Sequence, residues 1–341
     1  MLNILILIIA LIIIVIAANL FCNALEHLGE SLKISEGVTG SIFAAVGTAL
    51  PETIIPIISI ASSTKENLNS SIGIGAILGA PLMLSTLSIF VMSLSIIKQR
   101  GINGIISPEP TGLKRDLRFF LFGYTLAFIA IITHKIPFTH HSIQIINIII
   151  SITLGISYFI YIMLTIKSSH RLVIEGNQTS TDTPLFLTKF KFKKNGFSIL
   201  IQLVIGIIIL IYSAHVFIEQ VNIIAKSYNF SPFLLALIII PIATEMPEKI
   251  NSIIWIRQKK DTLAIGNITG AMVFQGSLLP ILGILFTNWD LKNPQPIIGI
   301  LITMIATLWF YYNTQRNNIR VWQLWLNGIL YAINLAICIL A

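Results

Sequence analysis

Apolar residues run along this chain in long blocks, broken by short polar stretches. A helix needs about 20 predominantly apolar residues to cross a bilayer. Ten segments meet that requirement: 2–24, 37–62, 70–97, 117–134, 142–167, 197–220, 231–256, 263–287, 295–312 and 321–340. The pattern predicts an all-α membrane protein of ten transmembrane helices. The two longest breaks, 98–116 and 168–196, are polar and basic and read as loops.

Assigning the breaks to alternate sides tests the count. Seventeen of the 22 Lys and Arg fall on the side of the odd-numbered breaks; Lys65, Lys135, Lys226 and Lys292 fall on the other, and Lys249 lies within a span. One missed span in mid-chain would scramble this asymmetry. It predicts a plasma or inner membrane protein with both termini outside. Composition agrees: the chain is 55% hydrophobic and 11% charged, where soluble domains are about 25% charged. The net charge of +8 then reads as topology bias and not as a nucleic-acid surface. The stretch from Phe186 to Phe197 interleaves basic and aromatic residues and is expected to lie on anionic lipid. The first span lacks a basic leader and should stay as a helix. Cys22 and Cys338 have no metal-ligand spacing and read as packing residues. His140 and His141 read as the tip of an outer loop. No zinc, protease, esterase or phosphate-loop signature occurs, so no cofactor is expected.

The chain also repeats. Ser35 precedes Glu52 by 17 residues, and Ser231 precedes Glu248 by 17. Each serine is placed to cap a helix whose first residue is Glu36 or Pro232. Ser71-Ile-Gly-Ile-Gly-Ala-Ile-Leu-Gly-Ala80 echoes Thr262-Leu-Ala-Ile-Gly-Asn-Ile-Thr-Gly-Ala271. Spans 1–5 and 6–10 therefore read as two copies of one unit, residues 1–167 and 197–341, joined by a basic cytoplasmic linker at 168–196. Five is odd, so the copies must be inverted, a build typical of secondary transporters with a site where the copies meet.

Each copy carries a carboxylate in mid-span, costly there and a functional-site signal by default. The first lies in Gly47-Thr-Ala-Leu-Pro-Glu52, the second in Ala243-Thr-Glu-Met-Pro-Glu248. Proline has no N–H, so Pro51 and Pro56 leave the carbonyls of Gly47 and Glu52 without helical partners, and Pro247 and Pro241 do the same for Ala243 and Leu237. Thr48 and Glu52, like Thr244 and Glu248, stand at i and i+4 on one helix face. Oxygen donors with two negative charges suit hard cations such as Ca²⁺ or Na⁺. Glu245 and Lys249 are also at i and i+4, so Glu245 reads either as the partner of an intramembrane lysine or as a further ligand. Their counterparts in the first copy are Ala49 and Thr53. The glycines of Gly75–Gly79 and Gly266–Gly270 allow close helix packing, and Gln275 and Ser277 are placed to reach the site from span 8.

The paired hexapeptides resemble the GTSLPE signatures of the sodium/calcium exchangers, within the calcium/cation antiporter superfamily, and the glycine segments resemble their GNxxGSN partners. The likeness covers the whole architecture, with motif similarity in spans 2–3 and 7–8, and suggests a divergent prokaryotic-type member. It implies that Glu52 and Glu248 are the principal Ca²⁺ ligands. It implies too that Thr48, Thr244 and the backbone carbonyls of Ala45 and Pro241 serve Na⁺ and Ca²⁺, and that spans 1 and 6 slide against the rest. The motif serine is replaced by Ala49 and Glu245 and the GSN serine by Ala80 and Ala271, while the position of a further acid or amide holds Leu84 in the first copy and Gln275 in the second.

The expected function is a cation antiporter exporting Ca²⁺ against Na⁺ by alternating access, with the cations and the bilayer as its partners. Two alternatives stand beside it: the same fold coupled to H⁺ or moving another divalent ion, and an intramembrane enzyme using Glu52 and Glu248 as an acid–base pair, for which no nucleophile or metal motif is present.

Overall fold

The computed structural model describes residues 2–49, 53, 56–57, 68–134, 139–174, 176, 178–181, 183–190, 192–227, 245–287, 289, 294–315 and 319–340. The fold is all-helical. Its helices are α1 (Leu2–Ser31), α2 (Glu36–Val38), α3 (Ala45–Thr48), α4 (Leu68–Met83), α5 (Ile89–Ser95), α6 (Ile97–Arg100), α7 (Pro110–Thr133), α8 (His140–Ile174), α9 (Gly196–Ser227), α10 (Met246–Arg257), α11 (Asp261–Phe286), α12 (Pro294–Gln315) and α13 (Trp325–Leu340). Two π-helical turns interrupt this order, Thr39–Ala44 between α2 and α3 and Leu84–Ser88 between α4 and α5. Short strands Ile105–Ile106 and Ile319–Arg320 pair antiparallel.

Among the described residues eight helical stretches are long and apolar enough to cross a membrane. Residues 50–52, 54–55 and 58–62 of the segment 37–62, and 231–244 of the segment 231–256, lie outside the described residues. Several ends differ from the sequence expectation because charged residues at helix ends read as loop. α1 continues to Ser31. α7 starts at Pro110 and not near 117: Glu109 caps it, accepting from Thr111 N at 2.7 Å and Gly112 N at 2.6 Å. Lys114, Arg115 and Asp116 are thus helical. His140 and His141 open a helix instead of forming a loop tip. The 168–196 segment is not a plain loop either, since α8 runs to Ile174 and Phe186–Phe190 forms a 3₁₀ turn. That turn is tied to the bundle, with Asn23 Oδ1 accepting from Phe186 N at 3.0 Å and Gln202 Oε1 from Leu187 N at 2.9 Å. Ser35 caps α2 through Val38 N. Cys22 and Cys338 are buried.

α11 is the inner pillar. Of its apolar 18-residue stretch 78% is buried, against 83% for that of Gly73–Ser95 but only 29% for that of α1 and 33% for that of α9. α1 and α9 pack extensively on each other and so form a peripheral pair. Their crossing is close at Phe21, whose backbone N lies 3.2 Å from where a Cβ on Gly206 would stand. Phe21 also faces Gly47, where a Cβ would meet its ring at 2.9 Å.

Small residues let α11 approach the helix that leads into the first motif. A Cβ on Gly40 would lie 2.9 Å from the carbonyl of Leu263, and one on Gly270 would lie 2.5 Å from Ser41 Cα. The obstacle at Gly270 is backbone, so no rotamer change relieves it. Gly270→Val is therefore expected to lower the melting temperature in detergent by an amount equivalent to about 2 kcal/mol or more. A melting temperature unchanged from the parent would contradict this packing.

Candidate cation-binding site

The second motif sits where a helix begins. α10 starts at Met246 with Pro247 in its first turn, where the missing N–H removes no hydrogen bond. Glu245 occupies the cap position and Glu248 the first turn. Helix N-termini carry free N–H groups and partial positive charge, which favour carboxylates. Both glutamates are 0% exposed. Lys249 Nζ lies 3.8 Å from Glu245 Oε2, and Lys249 is also buried. Glu248 and Tyr331 are within electrostatic reach of Glu245.

The second glycine segment is docked onto this turn. Asn267 Nδ2 donates to the backbone carbonyl of Glu248 at 3.0 Å and to Ser252 Oγ at 3.0 Å. Sequence reading singled out the glycines around Asn267 but gave this side chain no role. Its position in the glycine segment is the signal that could have found it. Two more amides are wholly enclosed. Asn251, one turn past Glu248, and Gln275, on α11, have no hydrogen-bond partner for either side-chain atom among the described residues. Buried polar groups are nearly always satisfied, so these amides point to a partner other than the described protein atoms. Ser277 is different: its hydroxyl donates to the Val273 carbonyl of its own helix.

In the first motif, α3 ends at Thr48 and Ala49 caps it with φ −78° and ψ 6°. The Ala45 carbonyl accepts from Ala49 N at 3.0 Å, and the Ala49 carbonyl accepts from Thr53 N at 3.2 Å and Thr53 Oγ1 at 2.8 Å. One lone pair of the Ala45 oxygen is therefore used within the helix, and a second remains. The Thr48 side chain, Glu52, Pro241 and Thr244 lie outside the described residues. Among those described, no three His, Cys, Asp or Glu side chains gather as a metal cluster.

A further buried carboxylate was missed because its sequence neighbours are charged. Asp116 of α7 is 1% exposed. Its Oδ2 accepts from Ser41 Oγ at 2.8 Å and Thr269 Oγ1 at 2.7 Å, joining α7, the turn before α3 and α11.

The unmet amide of Gln275 gives a direct test. Replacing a buried, unpaired amide by an apolar group of similar shape is nearly neutral or stabilising. Gln275→Leu is thus expected to keep the melting temperature of the ion-free protein while reducing the rise that Ca²⁺ produces. A large loss of ion-free stability with an intact Ca²⁺ response would instead make Gln275 a structural bridge.

Comparisons with known proteins agree with the architecture. The profile of the family described as "Sodium/calcium exchanger protein" matches residues 2–167 and 198–340. The chain is 21% identical over 323 residues to an uncharacterized membrane protein of Methanocaldococcus jannaschii, covering 94% of this chain and 91% of that one. It is 22% identical over 289 residues to the "Putative antiporter CaxA" of Alkalimonas amylolytica, covering 81% and 77%. Among solved structures it is similar to the sodium-calcium exchanger NCX_Mj soaked with 2.5 mM Na⁺ and 0.1 mM Ca²⁺, with TM-score 0.70, 22% identity and 98% of each chain covered. The same protein soaked with zero Na⁺ and Ca²⁺ matches with TM-score 0.67 and 21% identity over 98% of each chain. With its helical membrane fold and a family match over nearly its whole length, the chain belongs to the sodium/calcium exchanger family.

Proposed function

We propose that this protein is a secondary active antiporter that moves Ca²⁺ out of the cell in exchange for inward Na⁺, by alternating access. The observation that carries the reading is Glu248. It is fully buried in the first turn of α10, with its own carbonyl held by Asn267 of the glycine segment, in a chain of the exchanger family. In this reading the chain has ten spans in two inverted five-helix repeats, 1–167 and 197–341, joined by the segment 168–196, with both termini outside. Glu52 joins Glu248 as the second carboxylate of one cation site. Thr48, Thr244, Gln275 and the carbonyls of Ala45 and Pro241 complete the oxygen set, and Lys249 neutralises Glu245. The related exchanger NCX_Mj was studied with Na⁺, Ca²⁺ and Sr²⁺, which supports hard cations as the cargo.

Alternating access needs a part that moves against a part that stays. The shallow burial of α1 and α9, beside the enclosed α11 and Gly73–Ser95, supports the pair as the moving part. Phe21 of α1 against Gly47 places that pair in contact with the first motif. The family being one of transporters, Glu52 and Glu248 are read as ion ligands and not as an acid–base pair.

A second reading keeps the fold and couples Ca²⁺ to H⁺. It is favoured by Ala49, Ala80, Ala271 and Leu84, which stand where the family pattern has polar or acidic side chains, while glutamates that bind protons are retained. Inside-out vesicles separate the two. Uptake of radiolabelled Ca²⁺ is expected to require Na⁺ inside the vesicle and to follow the Na⁺ gradient at fixed pH. Uptake that persists without Na⁺ and tracks an imposed pH gradient would overturn sodium coupling and assign the proton.

A further inference from the structure

Lysines in bilayer-spanning helices commonly reach for water with their long side chains. Lys249 does not: its side chain is only 7% exposed. Its ammonium stands 3.8 Å from Glu245 Oε2, and neither oxygen of that carboxylate makes a hydrogen bond among the described residues. The turn between them is closed by Lys249 N, which donates to the Glu245 carbonyl at 3.1 Å. One helical turn therefore holds the cation beside the carboxylate, at the start of α10 and next to Glu248. The charges acting on Glu245 among the described residues are Lys249 and Glu248, and Tyr331 of α13 lies within electrostatic reach.

The two charges enter together. At the matching positions of the first motif stand Ala49 and Thr53, and Thr53 Oγ1 donates to the Ala49 carbonyl at 2.8 Å. The first motif thus has a neutral turn where the second has an ion pair. The net charge of that pair is zero wherever its proton sits. An ammonium and a sodium ion are both monovalent cations that bind carboxylate oxygen. While the ammonium is tethered beside Glu245, a mobile cation on the same carboxylate meets a like charge. Without it, the buried carboxylate lacks compensation, a strongly destabilised state, until another cation enters.

We infer that the Lys249 ammonium is a tethered cation that takes the place of one mobile Na⁺ on Glu245. Given the proposed reading of Glu248 and its neighbours as the cation site, Lys249 then helps set how many Na⁺ move for each Ca²⁺.

The test counts Na⁺ by linkage. Ions that bind only the folded state raise its stability with ln[Na⁺], in proportion to the number bound once the sites fill. The purified wild-type protein and Lys249→Met, which keeps an unbranched side chain without the charge, are unfolded in detergent over a range of Na⁺, with choline holding ionic strength constant. Lys249→Met is expected to show a slope greater by one Na⁺, and Glu245→Gln combined with Lys249→Met to return to the wild-type slope. Folding of Lys249→Met in Na⁺ but not in choline would support the inference equally. A stability loss of the same size in Na⁺ and choline, with the wild-type slope, would overturn it, leaving a structural ion pair or a proton on Glu245. A wild-type slope of zero would count against sodium coupling, while the difference between the two proteins would still decide the role of Lys249. Should Lys249→Met fail to fold in both salts, Ca²⁺ binding to Glu245→Gln decides. There the released ammonium faces Glu248, and a charge within about 4–6 Å moves a proton-binding equilibrium about 10- to 1000-fold. Glu245→Gln is thus expected to bind Ca²⁺ at least about tenfold more weakly than Glu245→Gln with Lys249→Met. Affinities of these two within about twofold of each other would overturn the inference.

Discussion

A carboxylate inside a bilayer-spanning bundle must be compensated, and the arrangement around Glu245, Glu248 and Lys249 follows from that constraint. Desolvating an ion costs several kcal/mol even after relaxation. The chain meets the cost by starting α10 at Met246, so that both glutamates sit at a helix N-terminus, and by placing Lys249 one turn on. A helix that begins at this depth must itself be covered. Asn267 does so from α11, bridging the Glu248 carbonyl and Ser252, and this fixes α11 against α10. The same logic recurs nearer the ends of the bundle. Asp116 is held by two hydroxyls from different helices. Glu26 is held by Lys260 and the indole N–H of Trp255, at 2.6 and 2.7 Å. Losing one partner of such a buried pair costs about 3–5 kcal/mol, so these contacts act as fixed points between helices far apart in sequence.

Packing is arranged around those fixed points. Gly40, Gly266 and Gly270 remove side chains where α11 crosses the approach to the first motif. The π-turn Thr39–Ala44 lies in that approach, where one extra residue per turn shifts the helix faces. The α1–α9 pair stays outside, touching the first motif through Phe21. The polar contacts between helices are thus inside and the apolar face of the α1–α9 pair is outside, with Glu26 of α1 joining that pair to Trp255 and Lys260.

Much of the fold could be read from residue patterns, because twenty-residue apolar runs admit few structures in a membrane. What periodicity placed poorly were the helix ends. α7 begins seven residues before its apolar run, since the Glu109 cap and Pro110 start a helix that then carries Lys114, Arg115 and Asp116. Those charges looked like loop, so Asp116 went unnoticed although it bridges three elements. At the site, the cost of a mid-span carboxylate made Glu248 conspicuous, and i to i+4 spacing brought Glu245 and Lys249 together. Asn251 was not legible, and Asn267 was marked only by its place in the glycine segment. An amide in an apolar run can face lipid, a partner helix or a ligand, and only the packing of α10 on α11 decides among these.

The central claim is that Glu52 and Glu248 hold one cation between them. Equilibrium binding of radiolabelled Ca²⁺ to purified wild type, Glu52→Gln, Glu248→Gln and the double variant tests it most directly. One shared site predicts that either single substitution lowers affinity at least about 100-fold, the loss of one partner of a buried charge cluster, and that the double variant shows no additional class of sites. Binding within about twofold of wild type in either single variant would contradict the account.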